Sequence, residues 1–368
     1  MKLTQAFSVA LPVLVVIATH LPLARPVTAQ QPVVVEPPPL RGYISYRTPR
    51  APDIDGRLTE TSWQLARWTE SFVDIEDSRR TTPLQTRVKI LWDDEHLFIG
   101  AELEEPELWG TLTTRDTVLY TENDFEVFLD PDGDTHNYYE LEINVLGTVW
   151  DLMLNKPYRD RGRAISTWDV RDLQSAVDVQ GTVNQPGDKD GGWTVELAFP
   201  WSAFSEQRSP GAGDQWFANF SRVQWPLIVE DSAYQKVVDT TAGRPAREQN
   251  WVWAVQGAVN MHMPEMWGVV QFSDIIVGRG RAVLEQPEDQ YVRWALRELY
   301  YAQRLYRREH EAFAPSLEEL GIGGFILPGG DSLAVTLEVT DEGFEASAPS
   351  VEGTGSWRIH HEGRVWRQ

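Results

Sequence analysis

Asn123-Asp124-Phe125-Glu126-Val127-Phe128-Leu129-Asp130 has the alternation of a β-strand with two unlike faces. Side chains of an extended strand alternate between two faces, so Phe125, Val127 and Leu129 point one way and Asp124, Glu126 and Phe128 the other. The next run, 138–145, keeps the same beat: Leu141, Ile143 and Val145 share a face opposite Glu140, Glu142 and Asn144. Two such strands form a half-buried pair, with the apolar sets on the core and the carboxylates on the other face. The period of two recurs on either side. Val88, Ile90 and Trp92 alternate with polar partners, residues 93–96 turn the chain, and 97–103 return it as a hairpin. Further strand-like runs lie at 149–154, 193–199, 216–223 and 269–272. No amphipathic helix of any length separates them. The pattern predicts a mainly β fold, an antiparallel β-sandwich of immunoglobulin-like or jelly-roll-like form.

The chain has 368 residues, enough for that sandwich and a small C-terminal α+β appendage. Residues 1–29 begin with Lys2, run apolar from Ala6 to Ala18 and end on the small-residue site Val27-Thr28-Ala29, the pattern of a cleaved signal peptide. Pro12, His20 and Pro22 leave the apolar run too short for a spanning helix, so no membrane span is expected in the mature chain. Residues 30–42, with Pro32, Pro37, Pro38 and Pro39, read as an extended linker. The sandwich is expected over 43–274, entered through the turn Asp53-Ile54-Asp55-Gly56 and a helical turn whose Trp63 plugs one end of the core. Residues 275–287 read as a second linker. Beyond it, Val292, Ala295, Leu299, Ala302 and Tyr306 recur at spacings of three and four, the apolar stripe of a helix over 288–310. Ser316-Leu317-Glu318-Glu319 is a capping box, and short runs at 333–339, 344–348 and 357–360 complete a helix-plus-sheet appendage over 288–368.

Acidic residues outnumber basic ones 55 to 33, a formal charge of −22. Such a surface repels phosphate backbones, which argues against nucleic acid as a partner. The absence of cysteine excludes disulfides, thiolate metal sites and a cysteine nucleophile. With a signal peptide in front, the expected location is the periplasm or the extracellular space. The 16 tryptophans fit a large core and a sugar-stacking surface equally well.

Several phrases occur in a telling order: Ile54-Asp55-Gly56 before Trp63, the stretches 91–99, 122–130 and 139–144, the strand 193–201 ending in Phe199-Pro200-Trp201, and Trp267-Gly268. Together they resemble the family 9 carbohydrate-binding modules, within the wider DOMON-like group of sandwiches, over about 43–274. The resemblance implies an exported, non-catalytic carbohydrate-binding protein, accessory to polysaccharide degradation, whose partner is an oligo- or polysaccharide. It also implies two aromatic rings that clamp a terminal sugar. One ring matches Tyr120, just before the acidic strand, and the matched acid is Glu126. At the place of the second ring stands Asn260-Met261-His262-Met263, with Trp251, Trp253 and Trp267 nearby as candidate substitutes. Glu142 stands where the best-known modules carry a basic contact. The candidate carbohydrate-binding set is therefore Tyr120, Glu126, Glu140, Glu142, Asn144, Trp253, Asn260 and His262.

Other constellations carry other expectations. Asp130, Asp132 and Asp134 alternate around Gly133, the pattern of a calcium loop without the distal Glu of an EF-hand, and calcium is the candidate metal there. Met261-His262-Met263 offers soft ligands for haem b, which some DOMON-like sandwiches carry; this is the basis of an alternative reading as a redox carrier. Glu126, Glu140, Glu142 and Asp151 are the acids from which a glycoside hydrolase would draw its acid and base. No nucleophile elbow, phosphate loop or His-rich metal motif accompanies them, and no enzyme activity is expected. A third reading is a structural role at the cell envelope, with the 288–310 helix as the surface for a protein partner.

Overall fold

The computed structural model describes residues 30–204 and 208–368; the expected signal peptide, 1–29, lies outside the described residues. The sandwich is built from β1 (Gly42–Arg47), β2 (Thr86–Trp92), β3 (His96–Leu103), β4 (Asp124–Asp130), β5 (Tyr138–Asn144), β6 (Val149–Leu154), β7 (Gln174–Gln180), β8 (Gly192–Pro200), β9 (Gln215–Gln224), β10 (Gln249–Val252) and β11 (Gly268–Ile276). Hydrogen bonds join them in the order β7-β8-β3-β2-β1-β11-β9-β4-β5-β6, with β10 also paired to β9. The alternation of apolar residues does what the sequence predicts. Val88, Ile90, Ile99, Val195 and Leu197 from one half meet Phe125, Val127, Leu129, Leu141, Ile143 and Phe220 from the other in one buried core. Neighbouring strands are antiparallel except at β1, which runs parallel to both β2 and β11 and joins the two halves. Its Tyr43 is held there: the hydroxyl donates to Arg67 O at 2.6 Å and accepts from Ile90 N at 3.2 Å.

A short helix, α1 (Thr61–Leu65), carries the fully buried Trp63. The indole Nε1 donates to Glu196 Oε1 at 2.7 Å, while Glu196 Oε2 accepts from the backbone of Asp55 and Gly56 at 3.0 and 3.1 Å. One carboxylate on β8 thus ties the Ile54-Asp55-Gly56 turn to Trp63. Gly56 has φ 86°, and a Cβ there would sit 2.6 Å from Asp178 N, so no other residue fits without strain.

The C-terminal unit consists of α2 (Asp289–His310) laid on a meander of β12 (Thr336–Val339), β13 (Phe344–Pro349), β14 (Ser356–His360) and β15 (Val365–Arg367). The helix stripe, Val292, Ala295, Leu296 and Leu299, is buried against Phe344, Ala346, Ala348, Ile359 and Val365. Its own sheet therefore covers the apolar face of the helix. Within the proline-rich segment, Val33–Val34 pairs in parallel with Phe325–Ile326, and Val35 is buried in this same C-terminal core. The segment after β11 is fastened as well, with Gln271 Nε2 donating to Val283 O at 2.8 Å and Gln271 Oε1 accepting from Glu285 N at 2.7 Å. Polar contacts fix the unit to the sandwich: Thr135 Oγ1 donates to Gly363 O at 3.0 Å, Arg364 Nε to Asp134 Oδ2 at 2.7 Å, and Tyr300 OH to Asp160 at 2.7 Å. Among the described residues no helix is long and apolar enough to cross a membrane.

Candidate functional site

Strand register decides what faces outward between β9, β4, β5 and β6. Glu126 lies opposite Ser221 on one side and Glu142 on the other, Glu142 lies opposite Trp150, and Phe128 lies opposite Glu140. Two-residue alternation therefore gathers the acids onto a single patch of the outer face. That patch is not solvated. Asp124, Glu126, Glu140 and Glu142 are all buried. Above the patch a groove of about 420 Å³ remains, with Glu126, Glu140 and Glu142 on its floor and Tyr120, Trp150, Tyr158 and His262 around it.

The walls come from three loops. The turn Leu119–Thr121 carries Tyr120, whose side is open: the residue is 47% exposed. Tyr120 and Trp150 have ring centroids 6.4 Å apart with planes 33° from parallel. The turn Tyr158–Asp160 carries Tyr158, whose ring packs edge-on against His262 at 4.5 Å. His262 sits in the loop before β11, with its Nδ1 3.1 Å from the Tyr138 hydroxyl and its backbone N–H donating to Asn260 Oδ1 at 3.0 Å.

Burial dominates the electrostatics. It pushes the Glu126 carboxyl up to about 7, against which the Ser221 hydroxyl works. Asp124, Glu140 and Glu142 are also pushed well above the usual carboxylate range, first by burial and then by repulsion from one another and from Glu126. Burial lowers His262 to about 4, so its ring is neutral near pH 7. A floor that holds protons at some acids and charge at others offers both donors and acceptors to hydroxyl groups.

Of the residues singled out in the sequence, Tyr120, Glu126, Glu140, Glu142, Asn260 and His262 come together on this groove. Asn144 and Trp253 do not. Asn144 closes the β5–β6 turn, its Oδ1 accepting from Leu146 N and Thr148 N at 3.1 and 3.0 Å and its Nδ2 donating to Leu112 O at 2.9 Å. Trp253 is fully buried beside Phe220 and donates to Glu70 Oε2 at 3.2 Å. Trp251 and Trp267 are buried too, so the ring beside Tyr120 is Trp150 instead. Asp151 lies away from the groove, paired with Arg115 at 2.5 Å and accepting from Val170 N at 2.6 Å. Trp150 and Tyr158 escaped the sequence reading. For Trp150 the signal was present, because the alternation of 149–154 places it on the face of Leu152, opposite Glu142.

Asp130, Asp132 and Asp134 bring ligand atoms within 4.8 Å of one another. Their oxygens are already engaged. Asp130 accepts from Gly133 N and Thr135 N at 3.1 and 3.0 Å, and Asp134 accepts from His136 N and Arg364 Nε, both at 2.7 Å. These bonds close the turn and dock the β14–β15 hairpin, and a calcium ion would have to share them.

Rings set over buried carboxyls on one face of an antiparallel sandwich define a β-sandwich binding module. Residues 54–274, more than half of the chain, match the family described as carbohydrate family 9 binding domain-like, and the chain belongs to that family. Solved structures similar to it include a family 9 carbohydrate-binding module from Caldicellulosiruptor kristjanssonii in complex with cellotriose, 16% identical with a TM-score of 0.41, covering 67% of this chain and 100% of that one. The same organism's module in complex with glucose is 18% identical with a TM-score of 0.39, covering 66% and 100%. A putative carbohydrate-binding protein from Bacteroides uniformis is 14% identical with a TM-score of 0.46, covering 64% and 100%. No curated protein matches the chain.

Proposed function

We propose that this protein is exported through residues 1–29 and binds an oligo- or polysaccharide in the groove, without catalysing a reaction on it, as an accessory to polysaccharide degradation. The observation that carries this reading is the exposed ring of Tyr120 standing beside a floor of buried carboxyls. An aromatic face stacks on the C–H face of a pyranose, while Glu126, Glu140, Asn260 and the neutral His262 exchange hydrogen bonds with its hydroxyls. Membership of the carbohydrate-binding family supports the same ligand class. Titration calorimetry of the protein lacking residues 1–29 against a panel of neutral, amino and acidic oligosaccharides tests it. Saturable binding to at least one is expected, and no heat with any of them at millimolar concentration defeats it.

A further inference from the structure

We propose, resting on the carbohydrate reading above, that the groove selects a cationic glycan, one whose sugar carries a free ammonium group, over neutral and anionic ones. Glu126, Glu140 and Glu142 face the cavity, and Glu248 stands at its rim; among the described residues no Lys or Arg lines it. Behind the floor, Asp124, Glu126 and Glu142 bring carboxyl oxygens within 4.8 Å of one another. Asp124 is fully buried, and among the described residues neither of its oxygens has a hydrogen-bond partner. The neighbouring Val223 N–H and Glu142 carboxyl favour its charged form without closing a hydrogen bond. The charges that act most strongly on Asp124, Glu140 and Glu142 are other carboxylates. The site is therefore short of positive charge, and nothing in the groove supplies it.

An ammonium group meets this need in a way a hydroxyl does not. It brings three donors and a full charge to a low-dielectric floor, where that charge favours the ionised, accepting form of acids that burial otherwise keeps protonated. A uronic acid would instead add one more carboxylate to the cluster. The walls point the same way, since Tyr120, Trp150 and Tyr158 surround the floor and aromatic rings attract an ammonium ion through their faces. A bare divalent cation would use the same oxygens but make no use of the rings.

The test compares three β-1,4-linked trimers that differ only at C2: the glucosamine trimer with its ammonium, cellotriose with a hydroxyl, and the N-acetylglucosamine trimer with a neutral amide. Calorimetry at neutral pH and low salt is expected to give the glucosamine trimer an affinity about tenfold or more above cellotriose, with the acetylated trimer no better than cellotriose. The isosteric double variant Glu126→Gln with Glu140→Gln is expected to lose that preference while still folding cooperatively at neutral pH, so that the glucosamine trimer and cellotriose differ little in affinity for it. Should the double variant misfold, high salt on the wild-type protein provides the second measurement, and the preference must shrink there. Cellotriose binding as well as or better than the glucosamine trimer overturns the inference and leaves the glycan reading intact. A preference that survives both the double variant and high salt overturns it too, and so does cellotriose binding that appears only with added calcium and vanishes with a chelator. If no oligosaccharide of any charge class binds, the glycan reading itself fails.

Discussion

Glu142 Oε2 accepts the backbone N–H of Tyr120 at 2.9 Å and that of Leu119 at 3.1 Å, so an acid on the groove floor holds the turn that presents the wall. The same turn is tied from the other side by Trp225 Nε1, which donates to Tyr120 O at 2.9 Å. Floor and wall are therefore one mechanical unit. Glu142 thus serves the scaffold through Oε2 and at the same time belongs to the acid cluster with Glu126 and Asp124.

Removing that acid should be felt in both places. Glu142→Ala leaves two N–H groups without their acceptor in a buried setting, at a cost of about 1–3 kcal/mol. It also frees Tyr120, so glycan affinity should fall together with stability. Glu142→Gln keeps an acceptor oxygen and should preserve the melting temperature to within a few degrees. Urea unfolding and calorimetry on both variants check this; equal stability loss in the two would mean that the acceptor role is not what Glu142 provides.

Tyr120 itself should separate binding from folding. The residue is 47% exposed, so Tyr120→Ala opens no core cavity. Loss of a stacking ring should cost roughly 1–3 kcal/mol of binding, as for bases stacked on aromatic side chains, and weaken glycan affinity about tenfold or more. The melting temperature should barely move. A large stability loss with unchanged affinity would remove Tyr120 from the site.

These residues show what could be read from the chain and what could not. The alternation in 125–129 and 140–145 assigned core and outer faces correctly, because side-chain direction in a strand is a local property. Glu126, Glu140 and Glu142 then had to share a patch. What escaped depends on distant chain segments. Asn144 alternates onto the polar face like its neighbours, yet its amide is consumed by the β5–β6 turn and the Leu112 carbonyl. Trp253 reads as a free ring near the loop, but a Cβ on Gly268 would lie 2.5 Å from it, so the indole fills space that the glycine leaves. Pairing of Val33–Val34 with Phe325–Ile326 spans nearly the whole sequence, and nothing local encodes it. The burial of the acid patch likewise depends on three loops closing over it.

Burial of the patch makes stability depend on pH. The folded Glu126 has its carboxyl at about 7 against an ordinary 4.5, so the folded protein holds this proton more tightly than the unfolded chain. Its contribution is fully present below 4.5 and is lost as pH rises through 7. The slope is roughly 1.4 kcal/mol per pH unit for each such proton. His262 acts in the opposite sense: lowered from 6.5 to about 4, it contributes stability above 6.5 that is lost as pH falls through 4. Above pH 6.5 the His262 contribution is complete, and the raised carboxyls, Glu126 and also Glu196 at about 7, set the trend around neutrality. The midpoint of urea unfolding should therefore fall from there as pH passes 7, and Glu126→Gln should reduce that part of the fall. A wild-type curve that rises across this range would contradict the raised acids.

Arg222 is a buried cation on β9, directly opposite Phe125 of β4 in the strand pair that carries the patch. Its guanidinium meets Glu105 Oε2 at 2.8 Å, Thr86 Oγ1 at 3.1 Å and Glu104 O at 2.8 Å, with both charges out of solvent. Arg222→Leu leaves Glu105 charged and unpaired and should cost about 3–5 kcal/mol. Adding Glu105→Leu removes the orphaned charge and should recover a good part of that loss. A double variant no more stable than the single one would show that the guanidinium matters for packing on Trp251 rather than for the ion pair.

The remaining question is whether sandwich and C-terminal unit unfold together. Tyr300 on α2 sets its hydroxyl 2.7 Å from both oxygens of buried Asp160, donating its one proton to that carboxylate, and Arg304 adds a bond to the same group at 2.6 Å. Asp160 belongs to the turn that carries Tyr158, so this contact connects the C-terminal helix to the wall of the groove. Tyr300→Phe keeps the ring and removes only the hydroxyl, at a cost of about 1–3 kcal/mol if Asp160 stays buried. In a cooperative molecule the protein melts in one transition and the substitution lowers all of it. If the C-terminal unit is energetically independent, calorimetry shows two transitions, of which the variant shifts one. Deleting 288–368 gives the complementary result. In the cooperative case the remaining chain loses the partner of Val33–Val34, leaves Val35 without its core and should aggregate. A soluble truncated sandwich with wild-type glycan affinity would show that the appendage takes no part in holding the groove.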